Sequence, residues 1–171
     1  MQIPFSSIIV LGAIILFIYI FNRLALKRNT VYHALAAVNV YLKMRLDLVA
    51  ELIAATSDCL KTQTESLSQL AEMRANSASI TEKSVLDMKL TAALRDFMAQ
   101  LDSCPDLKSS DSIADLQNSI SKIEKQLASA RIKYNNSAAD YNNALKIFPA
   151  SLFAALLQFK KFDLFEIPPE V

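Results

Sequence analysis

At 171 residues, with 18 basic and 17 acidic side chains, the chain is long enough for one ordinary domain and too evenly charged for a nucleic-acid binder. It contains a single glycine, and no proline falls between Pro4 and Pro105. The turn residues that a β-protein needs every few positions are therefore missing, and a Gly-rich phosphate loop is excluded. The expected fold class is all-α: an N-terminal transmembrane helix continuing into an antiparallel bundle of three long helices and one short C-terminal helix.

The apolar run from Phe5 to Phe21, FSSIIVLGAIILFIYIF, carries no charge. Its length approaches the roughly 20 residues that cross a hydrocarbon core, so residues 1–22 are expected to form an anchor that meets lipid through residues 5–21. A cleaved signal peptide would begin with basic residues and end at a small-x-small site. Met1-Gln2-Ile3-Pro4 has no basic side chain, and the run ends at Asn22-Arg23-Leu24-Ala25, which favours a permanent anchor. Arg23, Lys27, Arg28, Lys43 and Arg45 follow the run, and the positive-inside rule then places the C-terminal domain in the cytoplasm. Gly12 has no Gly-x-x-x-Gly partner and is read as a glycine tolerated in lipid.

No breaker occurs between Gly12 and the region of Ser77, so the first helix is expected to run unbroken from the membrane into the bundle domain, residues 23–159. Val31, Leu35, Val38, Leu42, Val49 and Leu52 recur at helical spacing. A second stripe, Leu46, Val49, Ile53, Leu60, Leu67 and Leu70, predicts packing against more than one neighbour. Lys43, Arg45, Asp47 and Glu51 form a charge cluster; Lys43 and Asp47 are an i,i+4 pair, and a solvated helix face is the default reading. His33 has no Cys, Asp or Glu at a spacing that would complete a metal site. A hairpin turning near Ser77 would set Cys59 and Cys104 about nine residues out of level, roughly 13 Å and too far for a disulfide; two unpaired thiols fit a reducing compartment.

Ser79-Ile80-Thr81-Glu82 fits a capping box that starts a second helix, with the stripe Leu86, Leu90, Leu94, Phe97 and Leu101. Cys104-Pro105-Asp106 ends it, and Ser112 is the next expected cap. The third helix carries Ile113, Leu116, Ile120, Ile123, Leu127, Ala130, Tyr134, Ser137, Tyr141, Ala144 and Phe148 at alternating steps of three and four. That is a seam of about five heptads, stopped by Pro149. An in-chain bundle with short connections and a parallel coiled-coil dimer both accommodate such a seam, the bundle being favoured. A short helix over Ser151 to Phe159 and a tail, residues 160–171, complete the chain.

No serine or cysteine nucleophile has a recognisable base, so no catalytic, cofactor-binding or metal-binding residue is expected. Tyr134-Asn135-Asn136 and Tyr141-Asn142-Asn143 repeat one heptad apart. Tyrosines at seam positions need partners for their hydroxyls, and the asparagines beside them can bond across the bundle. Two readings stay open: a structural polar layer, or a surface for a ligand or partner.

Arg131-Ile132-Lys133-Tyr134-Asn135, Asp140-Tyr141-Asn142-Asn143-Ala144-Leu145, Phe148-Pro149 and Leu152-Phe153-Ala154 resemble the C-terminal signature of the LemA family. Val40-Tyr41-Leu42-Lys43-Met44-Arg45-Leu46-Asp47-Leu48-Val49 resembles an upstream stretch of that family. The N-terminal span, Pro105-Asp106-Leu107-Lys108 and the closing aromatic segment also fit, so the resemblance covers nearly the whole chain. Met44 stands where a basic residue is usual. Ala50-Glu51 replaces a Pro-Asn pair, which implies a straighter first helix, and Gln158-Phe159 replaces a Gly-Phe pair. The resemblance implies a single-pass protein of the bacterial inner (cytoplasmic) membrane with a cytoplasmic helical bundle and neither enzyme activity nor cofactor. Genes for membrane metalloproteases often lie near those of the family.

The functional expectation is a membrane-anchored, self-associating scaffold or adaptor without catalytic activity. The alternatives are an accessory subunit of a membrane enzyme such as a metalloprotease, or a small-ligand sensor. Homo-oligomers and a membrane protein partner are expected; nucleic acid is not. The partner-binding candidates are Lys43, Arg45, Asp47, Tyr134, Asn135, Tyr141, Asn142, Phe148, Phe153, Phe159, Phe162 and Phe165. If three helices alternate in direction, Phe148-Pro149 lies at the end far from the bilayer. The apolar tail would then pack on the third helix or on a neighbouring subunit rather than on the membrane.

Overall fold

A computed structural model describes residues 5–56, 61–76, 79–101 and 110–165. These residues contain five helices and no strand: α1 (Phe5–Thr56), α2 (Lys61–Asn76), α3 (Ile80–Leu101), α4 (Asp111–Ala144) and α5 (Ala150–Leu156). Cys59, Cys104 and the Pro105–Lys108 stretch lie outside the described residues. The first helix does not form the hairpin turning near Ser77 that would set the two cysteines about nine residues out of level.

α1 runs without interruption for 52 residues, through the Ala50-Glu51 pair. Its N-terminal part is long and apolar enough to cross a membrane by length and composition, and Ile8, Ile9, Val10, Leu11, Ile14 and Ile15 are all exposed. From Ile20 onward one face is buried: Ile20, Leu24, Val31, Val38, Leu42, Val49 and Leu52. Helix continuity therefore carries the apolar segment directly into the bundle.

The helix does not reach Ser77. α1 ends at Thr56, and α2 folds back along it. The level of α3 requires this: Asp87 is bonded to Arg45, while Leu94, Phe97 and Leu101 share a core with Val49, Leu52, Leu67 and Ile113. Ile80 packs on the other core, the one that holds Val38 and Leu42. α3 therefore runs parallel to α1, and α2, joined to it by three residues, must run antiparallel. The reversal falls between Thr56 and Lys61; a threonine side chain competes for backbone hydrogen bonds and weakens a helix end. The Thr56 hydroxyl already donates to the Leu52 carbonyl oxygen at 2.6 Å.

This additional reversal changes the bundle. The expected three long helices become four, with α2 and α3 forming a hairpin over the Thr56 half of α1. α4 packs antiparallel to α1 along its whole length, and Ile20, Leu24, Val31 and Val38 share one core with Leu127, Tyr134, Tyr141 and Leu145. The α4 seam is thus satisfied within the chain. It drifts by one residue after Tyr134, so that Ala138 and Leu145 are buried in place of Ser137 and Ala144; a straight α-helix drifts in this way against a strict heptad.

Local signals fare well. The Glu82 amide donates to the Ser79 hydroxyl at 3.1 Å, one half of the expected capping box. The N-cap of α4 is Ser110, two residues before the expected cap, and Ser112 falls inside the first turn. α4 stops at Ala144, short of Phe148, because Pro149 would clash with the carbonyl of Leu145 and disfavours helical backbone at Phe148.

The position of the C-terminus is the largest correction. Because α4 returns along α1, Phe148 and Pro149 lie beside Leu16, Tyr19 and Ile20 of the apolar helix, not at the far end. α5 packs back on α1, with the rings of Phe153 and Phe17 edge-on at 5.2 Å.

Ala36 is exposed on α1 between the buried Val31 and Val38. Ala36→Pro removes a hydrogen bond of the continuous helix and is expected to destabilise the protein by about 3 kcal/mol or more. Thermal melts of the two proteins in the same detergent check this.

Candidate functional site

Two polar arrangements stand out against the apolar seams. The first is a buried charged node. Arg45 is 1% exposed and Asp87 2%. Arg45 Nη1 donates to Asp87 Oδ1 at 2.8 Å, and its Nη2 donates to Thr91 Oγ1 and Glu124 Oε1, both at 2.9 Å. The Thr91 hydroxyl donates in turn to the Asp87 carbonyl oxygen at 2.8 Å. Arg131 closes the node through an ion pair with Asp87 Oδ2. Burial pulls the Arg45 pKa down, and Glu124 opposes the shift.

Arg45 is thus withdrawn from the solvated face on which the charge cluster was expected. Lys43, Asp47 and Glu51 remain exposed. The sequence held a signal for this: the α1 stripe steps from Leu42 to Val49 and skips one seam position, and that position is Arg45. Asp87 likewise precedes Leu90, Leu94, Phe97 and Leu101 at steps of three and four.

The second arrangement is a ladder between α4 and the tail. Asn135 Nδ2 donates to the Phe165 carbonyl oxygen, and the Phe165 amide donates back to Asn135 Oδ1, both at 2.9 Å. Asn142 makes the same pair of bonds with Phe162, at 2.8 and 3.0 Å. The Tyr134 hydroxyl donates to the Asp163 carbonyl oxygen at 2.7 Å. Spacing explains the match. One heptad of helix rises about 10.5 Å, and three extended residues span about 10 Å. Two asparagines a heptad apart therefore reach two residues three apart on an extended chain. Each carboxamide bonds the backbone as a neighbouring β-strand would.

The tail aromatics fill the groove between α1 and α4. Phe165 meets Tyr134 at 5.3 Å between ring centroids. Phe162 lies against both Tyr141 and Tyr32, at 5.3 and 5.2 Å. Phe159 reaches Phe21 and the Arg28 guanidinium. The candidates Tyr134, Asn135, Tyr141, Asn142, Phe159, Phe162 and Phe165 are therefore brought together, joined by Phe153 on α5. Phe148 stays 75% exposed, and Lys43 and Asp47 stand apart. Of the two open readings, a polar layer across the bundle or a surface for a ligand or partner, the asparagines match neither as stated: they bond the chain's own tail.

The sequence profile of the LemA family matches residues 34–171. The chain belongs to the LemA family. No curated relative matches it. Both stretches that carry the family resemblance now have physical roles: Val40–Val49 delivers Arg45 to the buried node, and Arg131–Leu145 supplies Arg131, both tyrosines and both asparagines of the ladder. The departure at Gln158 is equally concrete. Gln158 has φ 54°, the left-handed region that favours glycine. The Phe159 amide donates to the Ala154 carbonyl oxygen, and the Gln158 amide donates to that of Ala155, which is the Schellman pattern of a helix C-terminus.

The left-handed region costs a non-glycine residue about 1–2 kcal/mol. Gln158→Gly, in an exposed position, is expected to stabilise the protein by about 1 kcal/mol, as a rise in melting temperature.

The two tyrosines differ. Burial, reinforced by Asp163, pushes the Tyr134 pKa up to about 12 from 10.0. Burial also raises that of Tyr141, with Arg28 opposing, and the Tyr141 hydroxyl has no hydrogen-bond partner among the described residues. A raised folded-state pKa contributes stability that is present below the unfolded value and is lost as pH rises through the folded one. Tyr134 therefore loses its contribution between about pH 10 and pH 12. Tyr134→Phe is expected to cost about 1 kcal/mol at neutral pH and to weaken the alkaline loss. Tyr141→Phe, which removes an unpaired buried hydroxyl, is expected to be neutral or stabilising. Denaturant melts of the three proteins at neutral pH and across that alkaline interval check both expectations.

Proposed function

We propose that this LemA-family chain is a membrane-anchored scaffold or adaptor without catalytic activity, which self-associates and docks a membrane protein partner. The observation that carries the reading is the unbroken α1. One helix links the apolar segment to the bundle, and α4 lies along it, so the bundle is held at a set height and rotation relative to the membrane. That is the mechanical requirement of a scaffold. A Gly- or Pro-containing hinge would remove it, and none interrupts Ala13–Thr56.

The partner face is the outer side of α1. Val40 and Met44 are exposed there, 57% and 44%, flanked by Lys43 and Asp47. A neighbouring groove of about 540 Å³ is lined by Met44, Asp47, Leu48 and Glu51 with Lys122 and Ile123 of α4. Exposed apolar side chains rimmed by charges have the composition of a docking surface. The cytoplasmic orientation rests on Arg23, Lys27, Arg28 and Lys43, all on one side of the apolar run. Placement in a bacterial inner membrane rests on family membership. A small-ligand sensor would need an apolar cavity beside Tyr134 and Tyr141; Phe165 and Phe162 occupy those positions.

A photo-crosslinking residue placed at Val40 or Met44 in native membranes is expected to form adducts with a second copy of the chain or with a membrane protein, identified by mass spectrometry. The same residue at Lys125, exposed on α4, is the control. Adducts no more frequent at Val40 and Met44 than at Lys125 would remove the docking face.

A further inference from the structure

Among the described residues beyond the apolar run, the two most exposed large apolar side chains, Leu156 and Phe148, stand at the α4–α5 corner. Phe148 is 75% exposed, Leu156 76%, and Ile147 and Leu152 63% each. Isolated exposed apolar residues are ordinary, but four within ten residues at one corner mark a contact surface. Its position identifies the contact. Phe153 of α5 packs on Phe17, and Phe159, just after α5, packs on Phe21. Both α1 residues belong to the uncharged run, so the corner stands level with the last turns of that run, not beyond it.

We infer that residues 145–157 form a second membrane contact, a short apolar corner lying in the same leaflet that the end of the α1 span crosses. This rests on reading Phe5–Phe21 as a membrane span. The charge pattern supports lipid rather than protein as the occupant. On each of the three chain segments that pass this level, apolar residues give way to cations in the same direction. On α1 the run ends and Arg23, Lys27 and Arg28 follow. Just after α4, Lys146 precedes Ile147 and Phe148. On the tail, Lys160 and Lys161 follow Leu156 and Leu157. Lys146, Lys160, Lys161, Arg23 and Arg28 are all exposed. Antiparallel pairing sets these cations in one band. A band of Lys and Arg above a continuous apolar surface is the pattern of a bilayer interface, with the charges at headgroup level and the apolar side chains below.

Between the corner and α1 lies a cleft of about 420 Å³, walled by Leu16, Tyr19, Ile20, Ile147 and Phe148, with Arg23, Lys27 and Asp140 on its polar side. Its walls Leu16 and Ile20 belong to the uncharged run, so acyl chains that surround the span also reach the corner. Gln158 ends α5 with a left-handed turn, and the tail then leaves the apolar level to climb the α1–α4 groove. The corner therefore meets lipid while residues 159–165 stay with the bundle.

The chain contains no tryptophan, so single tryptophans report their surroundings without background. Full-length Phe148→Trp, Leu156→Trp, Ile14→Trp and Ile132→Trp are reconstituted into vesicles of mixed zwitterionic and anionic phospholipid, with and without brominated acyl chains. Phe148→Trp and Leu156→Trp are expected to lose emission to the bromines as Ile14→Trp in the span does. Ile132→Trp, exposed on α4 within the bundle, is expected to keep its emission. If Ile14→Trp is quenched and both corner variants are not, the corner inference is overturned and the span stands. Blue-shifted but unquenched emission at the corner would mean that protein covers it, which also overturns the inference. If Ile14→Trp is itself unquenched, the span reading falls and takes the inference with it.

Discussion

The register of the whole bundle hangs on Arg45. An apolar seam of leucine, isoleucine and valine tolerates sliding, because one heptad looks much like the next. A buried guanidinium does not. Arg45 meets Asp87 from α3 and Glu124 from α4, and Arg131 meets the other oxygen of Asp87. Displacing any of these helices would leave a charge unpaired in a dry interior, a penalty of about 3–5 kcal/mol. Well-packed apolar residues could match or exceed the stability of such a node. What it adds is discrimination between one register and its neighbours.

That register has distant consequences. Arg45 stands opposite Glu124, and the same number of residues down α1 and along α4 reaches Leu24 and Leu145. Just beyond them Phe148 and Pro149 share a cleft with Leu16 and Ile20. The height of the C-terminal corner on the apolar helix is therefore set by a charge interaction about twenty residues away, roughly 30 Å along the helix. The corner, the tail and the apolar N-terminal segment form one mechanical unit because α1 and α4 are each continuous over that distance.

The tail shows how an all-helical protein orders an extended segment without a sheet. Isolated extended backbone leaves its amides and carbonyls to water. Here Asn135 and Asn142 satisfy both polar groups of Phe165 and Phe162, and Tyr134 satisfies the Asp163 carbonyl. The phenylalanine rings then cover Tyr134 and Tyr141, which would otherwise be apolar walls of an open groove. Polar and apolar contacts share the same residues, so the ladder and the aromatic stacking support each other.

Much of this protein is legible in the sequence. The uncharged run, the absence of turn residues, the Ser79 cap and the α4 heptads specify an all-α chain with an apolar N-terminal helix and a long seam. All of these are local, set by backbone sterics and by periodicity within one helix. Tertiary structure alone decided the rest. The break after Thr56 is a weak local signal that wins because α2 can bury Leu67 against α1 and α3. That single reversal turns an odd number of long helices into an even one, and so moves the C-terminal corner from the far end of the bundle to the apolar helix. Arg45 reads as surface charge until Asp87 and Glu124 are known to face it, since a buried cation is stable only with its partners. Asn135 and Asn142 read as a layer across the bundle, because nothing in a helical pattern reveals that an extended segment some twenty to thirty residues later matches their spacing. Direction and pairing depend on which distant groups meet, and periodicity within a helix carries no record of that.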